Sequence, residues 1–258
     1  TSDRRFLKTF LPDEEGAPWM PITDWHMLAL IAALLPLRWY AEVAHPEWYV
    51  GSEMAVYFPI EDGRNFVAPD LFVALAHRHP RYSFDSQEEG GFPAFVLEII
   101  SRESQKRDTT DKVRLYDLVQ AREYVIFDAE DRLRPRLQGY HRNERGQWTP
   151  WAPGSRGELH SSILGLTLVA DGDLLRFEDA AGNRLLTADE ERQRAERESL
   201  TARQARARAD QEQARAEQQQ ARAEQQQARA EQERARAEAA EEKIAGLQAL
   251  LRQLQPPE

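Results

Sequence analysis

The chain contains no cysteine, which excludes disulfides and thiolate metal sites and fits a reducing compartment. Lysine is nearly as scarce: Lys8, Lys106, Lys112 and Lys243 stand against thirty arginines. Where arginine serves almost every positive charge, a retained lysine points to a place that needs a compact point charge rather than a planar fork. Long apolar runs are also missing. The longest, Met27 to Leu37, is short for a bilayer, contains Pro36, and reads as a buried helix. Thr1 to Glu15 shows no charged-then-apolar signal pattern, so the expectation is a cytoplasmic protein with no membrane partner. A glycine-rich phosphate loop and a G-x-S-x-G nucleophile elbow are absent, which excludes two common routes to phosphate and acyl chemistry.

Positive charge is in deficit overall. The 258 residues carry 34 basic and 44 acidic side chains, a net charge of −10. From Ala188 onward there are 13 basic and 15 acidic residues, so the preceding part holds 21 against 29 and is clearly acidic, at −8. Such a balance argues against strong non-specific binding to a polyphosphate, which needs a basic footprint, but leaves room for a local basic rim.

Two segments of different character meet near Thr187. An extension, 1–18, precedes a mixed α/β domain over 19–187. In it, Thr23 to about Arg38 forms an apolar helix capped by Thr23 or Asp24 and ended or kinked by Pro36. Trp48 to Val50 and Met54 to Phe58 read as short strands meeting at a turn near Gly51. Leu71 to Leu75 and Ala94 to Ile100 read as the central strands, with His77 to Phe92 a loop between them. Asp108 to Gln120 follows as a helix and Glu123 to Asp128 as a buried strand. Arg136 to Arg142, Trp148 to Trp151, Gly165 to Val169 and Leu174 to Phe177 then form antiparallel strands. Over 188–255 one position of a seven-residue period is alanine eight times, from Ala188 to Ala237, then Ile244 and Leu251. This composition is strongly helical and its period is that of a left-handed coiled coil, although alanine makes a thin seam. Ile244, Leu247, Leu251 and Leu254 give a convincing apolar spacing, so self-association at this end, most simply as a homodimer, is one expectation and a long solvated or partly disordered arm is the other.

Within the α/β part, two carboxylates stand where apolar residues belong. Pro69-Asp70 leads directly into Leu71-Phe72-Val73-Ala74-Leu75, and Glu98 interrupts Ala94-Phe95-Val96-Leu97-Glu98-Ile99-Ile100. On a strand Glu98 shares a face with Val96 and Ile100, so its carboxylate requires a cation or a donor. Lys112 is placed to supply one. With Asp108 as N-cap and Asp111 at the third position, it falls in the first helical turn, against the dipole, with its stem on the stripe of Tyr116 and Val119. Asp70 and Glu98 could hold a hard divalent cation, Mg²⁺ or Mn²⁺, with Lys112 orienting a water or stabilising phosphate charge. The simplest alternative is a structural salt bridge. Glu42 and Glu53 could complete a second metal site, Ser101 caps a turn or supports the site, and Lys106 and Arg107 could bind phosphate. His77-Arg78-His79 and Arg81 could extend that rim. The histidines His26, His45, His141 and His160 show no ligand spacing, and Tyr116 reads as core with its hydroxyl satisfied.

Pro69-Asp70, Leu97-Glu98-Ile99-Ile100-Ser101, Arg107-Asp108, Asp111-Lys112, Tyr116, and Glu123-Tyr124 to Phe127-Asp128 together resemble the Uma-two restriction endonuclease family of the PD-(D/E)XK nuclease superfamily. The resemblance covers roughly Trp19 to Leu186. It departs in one place, with Arg102 where the family usually has proline. The resemblance implies a restriction-endonuclease-like mixed sheet flanked by helices, followed by a long C-terminal coiled-coil arm. It maps the family's catalytic residues onto Asp70, Glu98 and Lys112, with Asp70 and Glu98 as metal ligands. It also implies Mg²⁺-dependent endonuclease activity on nucleic acid, most simply DNA. The competing expectation is a non-catalytic nuclease-fold interaction protein that oligomerises through its arm, an alternative that the acidic charge keeps open.

Overall fold

A computed structural model describes residues 23–60, 63–76, 78–102 and 104–253. The 1–18 extension, Lys8, His77 and Leu254 lie outside the described residues, as does the side chain of Leu251. The chain divides between Glu191 and Arg192 into two compact units.

The first unit is built on a six-stranded mixed sheet. Its strands are β1 (Trp48–Gly51), β4 (Leu71–Leu75), β6 (Phe95–Ile99), β7 (Glu123–Phe127), β8 (Leu137–Arg142) and β9 (Trp148–Pro150), in that spatial order. β4 and β6 are antiparallel neighbours, while β6 and β7 run parallel. A parallel pair needs a crossover, and here it is a π-helical turn, Arg107–Asp111, running into α2 (Lys112–Leu118). All five residues of β6 and of β7 are buried, as expected for strands covered on both faces.

One face of the sheet meets α1 (Asp24–Ala44) and a small sheet of β10 (Leu159–Ser161), β11 (Leu166–Asp171) and β12 (Leu174–Glu178). Leu71, Val73, Phe95, Leu97, Val125 and Phe127 pack there against Ala33, Leu37, Leu166 and Phe177. The opposite face carries Phe72, Val96, Ile100, Tyr124 and Ile126 toward Leu115 and Tyr116 of α2. The same face meets Val56 and Phe58 of a second small sheet, β3 (Gly63–Val67), β2 (Val56–Ile60) and β5 (Phe84–Asp85). Gly51 is required in β1, because a Cβ there would lie 2.2 Å from the Phe72 ring.

Several expectations change. α1 does not end at Pro36 but continues to Ala44, since Pro36, Leu37 and Ala41 are buried and their packing outweighs the missing N–H. Thr23 is its cap, accepting from the His26 N–H at 3.3 Å. By length and composition α1 would also pass for a membrane-crossing helix, yet its Ala29, Leu30, Ala33, Leu37 and Ala41 face is packed into the domain core. β1 and β2 do not meet at Gly51; they belong to different sheets. The helix read as starting at Asp108 begins at Gln105, so Asp108 is not a cap.

A buried carboxylate ties the first face together. Glu123, at the start of β7, accepts from the Ser161 hydroxyl, from the Ser162 N–H and hydroxyl, both at 2.8 Å, and from the Ile163 N–H at 3.2 Å. The second unit is a single helix: α3, which starts within the first unit, spans Ala188–Gln253 and is exposed from Arg192 onward wherever its side chains are described. Glu123→Ala should lower unfolding free energy by about 2 kcal/mol or more, because it strands several buried donors. The exposed control Glu144→Ala should stay within about 0.5 kcal/mol. Urea denaturation checks both, and equal midpoints would contradict the role assigned to Glu123.

Candidate active site

The antiparallel register pairs Leu71 with Leu97, so Asp70 and Glu98 fall opposite one another at one end of β4 and β6. Asp70 is fastened there: its Oδ2 accepts the Ile99 N–H at 2.6 Å. Glu98 points to the face of the sheet that carries Phe72, Val96 and Ile100, and is 1% exposed. Both of its oxygens are engaged. The Tyr116 hydroxyl donates to Oε1 at 2.6 Å and the Lys112 Nζ lies 2.7 Å from Oε2. Lys112, itself buried, lies 2.9 Å from Asp108 as well. The expected Glu98–Lys112 partnership is therefore present, and the Tyr116 hydroxyl is satisfied by the same carboxylate.

Asp108 is the residue that sequence reasoning placed wrongly. Instead of capping a helix it is 1% exposed in the π-helical turn, and its carboxylate pairs with Lys112 one turn further on. A π turn diverts backbone hydrogen bonds from the α pattern, and the buried Tyr124 hydroxyl meets the Asp108 carbonyl at 2.9 Å. The i, i+4 spacing of Asp108 and Lys112 was the available signal. His26 was also missed, since nothing local links the first turn of α1 to Pro69-Asp70. Its Nε2 lies 3.3 Å from Asp70 Oδ1, is buried, and makes no aligned hydrogen bond.

These groups line one cavity of about 150 Å³, together with Glu53, Ser101, Ser104 and Arg107. Glu53 lies beside Asp70 because its N–H donates to the Pro69 carbonyl at 3.0 Å. Its backbone is held in the left-handed region, at φ +46°, a conformation that costs a non-glycine residue energy. Ser101 closes a turn by donating its N–H to Ser104 Oγ at 3.0 Å. Arg107 reaches the rim, whereas Lys106 is not among the lining residues. Glu42 is elsewhere, on a groove with Arg38, Arg78 and His79. Arg78 there donates to the Trp48 and His45 carbonyls, and Arg81 pairs with Glu89.

Charge in the cavity is unbalanced. Among the described residues, Asp70, Glu98, Asp108 and Glu53 face Lys112 and Arg107, an excess of two negative charges when every group is ionised and before His26 is counted. Burial pushes the Glu98 carboxyl up, to about 8; Lys112 opposes the rise, and Asp70 and Asp108 reinforce it. Burial alone would lower the Lys112 ammonium, but Glu98, Asp108 and Asp70 outweigh it and raise it. His26 behaves likewise: burial lowers the imidazole, and Asp70, then Glu53 and Glu98, bring it above its ordinary value. The residues fit a divalent cation. Donor atoms of His26, Glu53 and Asp70 lie within 4.8 Å of one another, and among the described residues the His26 nitrogen makes no aligned hydrogen bond.

The site thus stands on a mixed sheet flanked by helices, with opposed carboxylates at one end of two neighbouring strands and a buried lysine on the crossover helix. The chain belongs to the Uma2 family, described as "Putative restriction endonuclease", whose model matches residues 16–170. Among solved structures it is similar to "a putative nuclease belonging to DUF820" from Anabaena variabilis ATCC 29413. That likeness has 13% identity and a TM-score of 0.42, and covers 62% of this chain and 89% of the other. No curated protein matches the chain.

Lys112→Met should destabilise the metal-free protein by about 3–5 kcal/mol, because two buried carboxylates lose their cation. Adding Glu98→Gln should recover part of that loss. A variant as stable as the parent in urea would refute the pairing. The raised Glu98 value also sets a pH dependence. A carboxyl whose folded value lies above its ordinary 4.5 favours folding fully below pH 4.5, and that contribution is lost as pH rises toward about 8. Unfolding free energy measured from pH 4.5 to 8.5 should therefore fall more steeply in the parent than in Glu98→Gln; identical slopes would contradict it.

Proposed function

We propose that the domain is a divalent-cation-dependent endonuclease that hydrolyses phosphodiester bonds of DNA. The observation that carries this reading is the single cavity holding Asp70, Glu98 and Lys112 with an excess of negative charge, in a chain of the Uma2 family. Mg²⁺ or Mn²⁺, when bound, supplies the charge that polarises a phosphate oxygen and acidifies a water.

The protein's own groups then have separable tasks. Asp70 offers Oδ1 to the cation while Ile99 holds Oδ2, so the ligand atom is oriented before anything binds. Glu98 has lone pairs beyond those used by Tyr116 and Lys112, and contributes charge to the same cation. Lys112 is held cationic by Glu98 and Asp108, so it serves as a hydrogen-bond donor and not as a base. Its Nζ lies 2.7 Å from Glu98 and 2.9 Å from Asp108, and in this reading a remaining N–H serves a scissile phosphate oxygen. Arg107 at the rim supplies a fork for an adjacent phosphate. Access by an acidic domain to a polyanion then depends on the cation, which offsets the local charge excess.

Plasmid and single-stranded DNA incubated with Mg²⁺ or Mn²⁺ should be cleaved, with loss of at least about a hundredfold in rate for Asp70→Asn and Lys112→Met. Cleavage that persists equally in both variants would refute the assignment. Absence of any metal-dependent cleavage would favour the non-catalytic interaction protein.

The arm supports a separate proposal, self-association as a coiled-coil dimer. Ile244 and Leu247 are large apolar residues more than half exposed on α3, at a spacing suited to a seam. Ile244→Glu with Leu247→Glu should halve the solution mass measured by light scattering. A parent protein that is already monomeric would overturn the proposal.

A further inference from the structure

We propose that His26 Nε2 is a direct ligand of the cation in this cavity, so that the site takes a first-row transition ion such as Mn²⁺ in preference to Mg²⁺. The inference rests on the proposed metal-dependent function for its context, but its geometry is independent of any substrate.

The first observation is a largely buried ring nitrogen aimed at a carboxylate. His26 lies in the first turn of α1, its side chain 12% exposed, and Nε2 faces Asp70 Oδ1 at 3.3 Å without an aligned hydrogen bond among the described residues. Buried ring nitrogens ordinarily make well-aligned hydrogen bonds, so a nitrogen and a carboxylate oxygen that face each other without one suit a shared cation between them. The second observation is spacing. Two donors bound side by side to an octahedral ion, each at slightly over 2 Å, lie about 3 Å apart. Nε2 and Asp70 Oδ1 are separated by 3.3 Å, and a Glu53 carboxylate oxygen completes a triad within 4.8 Å. The third observation is that the supporting atoms are fixed from behind. Asp70 Oδ2 is pinned by Ile99, the Glu53 backbone is pinned by Pro69, and the His26 backbone is pinned by Thr23. None of these tethers uses the atoms that face the cavity.

Ion preference follows from the donor set. Mg²⁺ dehydrates reluctantly and is held mainly by carboxylates and retained waters, so an imidazole nitrogen is of little use to it. Transition ions gain from nitrogen, and Mn²⁺ also accepts the carboxylate-rich remainder of this site. Asp70 and Glu53 then act as oxygen ligands and His26 as the discriminating one. Glu98, engaged by Lys112 and Tyr116, contributes mainly charge.

The test uses the full chain, free of DNA, with Mn²⁺ alone as the probe. Electron spin-echo envelope modulation should show a nitrogen coupling characteristic of coordinated imidazole, absent in His26→Gln. Mn²⁺ affinity, followed by the free-ion spin resonance signal, should weaken by roughly tenfold or more in His26→Gln. The preference for Mn²⁺ over Mg²⁺ in competition should fall by a similar factor. Circular dichroism and the unfolding midpoint of His26→Gln establish that it is folded, and the spin-echo result on the parent protein stands without any variant. Bound Mn²⁺ without nitrogen coupling, or no Mn²⁺ binding at all, would overturn the inference. Nitrogen-coupled Mn²⁺ in a protein that cleaves no nucleic acid would uphold the ligand and refute the nuclease reading instead.

Discussion

The contact between Glu98 and Lys112 is the constraint on which the rest of the domain turns. A carboxylate in the middle strand of a sheet covered on both faces pays a desolvation penalty that apolar packing cannot repay. Lys112, at 2.7 Å, and the Tyr116 hydroxyl, at 2.6 Å, meet that requirement from the helix that connects β6 to β7. The crossover is thereby tied to one position on the sheet. Lys112 is itself buried and needs more negative charge than one carboxylate, and Asp108 provides it from the preceding turn. A π-helical turn that places Asp108 indoors, with Tyr124 accommodating its carbonyl, follows from the same demand.

Once three carboxylates and a lysine share a small cavity, the electrostatics acquire a direction. Glu98 is pushed toward its protonated form, Lys112 and His26 are pushed toward theirs, and Glu53 adds further negative charge at the mouth. Burial is the main cause at Glu98, reinforced by Asp70 and Asp108, while at Lys112 and His26 the neighbouring carboxylates outweigh burial. A divalent ion, if bound as proposed, would relieve the repulsion among these carboxylates, and stability of the metal-free domain and affinity for a cation would then be linked through one cluster. The strained backbone at Glu53 fits this picture, since it brings one more carboxylate beside Asp70 at a local conformational cost.

Legibility in the sequence tracked the range over which each signal acts. The strands around Leu71 to Leu75 and Phe95 to Ile99 were readable because burial on both faces leaves a continuous apolar run, and their adjacency came out as expected. Glu98 stood out by interrupting one of those runs and Asp70 by leading directly into the other. Short elements with weak patterns, β3, β5 and β10, were not readable, because the pairing that stabilises them lies in distant segments. The end of α1 was misplaced because proline is a local veto that tertiary packing of Leu37 and Ala41 overrides. Asp108 was misread for a related reason. An aspartate ahead of a helix is most often a cap, and only its burial beside Lys112 shows otherwise.

By itself the sequence determined which residues could not be ordinary: two carboxylates among apolar strand residues, one lysine in a chain that uses arginine, and a heptad segment too polar to form a core. Those conclusions need only composition and periodicity, since desolvation and helix propensity are properties of residue types. Tertiary structure alone decided that Asp70 and Glu98 stand opposite each other, that Asp108 shares Lys112, and that His26 arrives beside Asp70 from another element. Their meeting depends on strand register and on the packing of α1 across the sheet, which are set by the whole core and leave no local trace near His26.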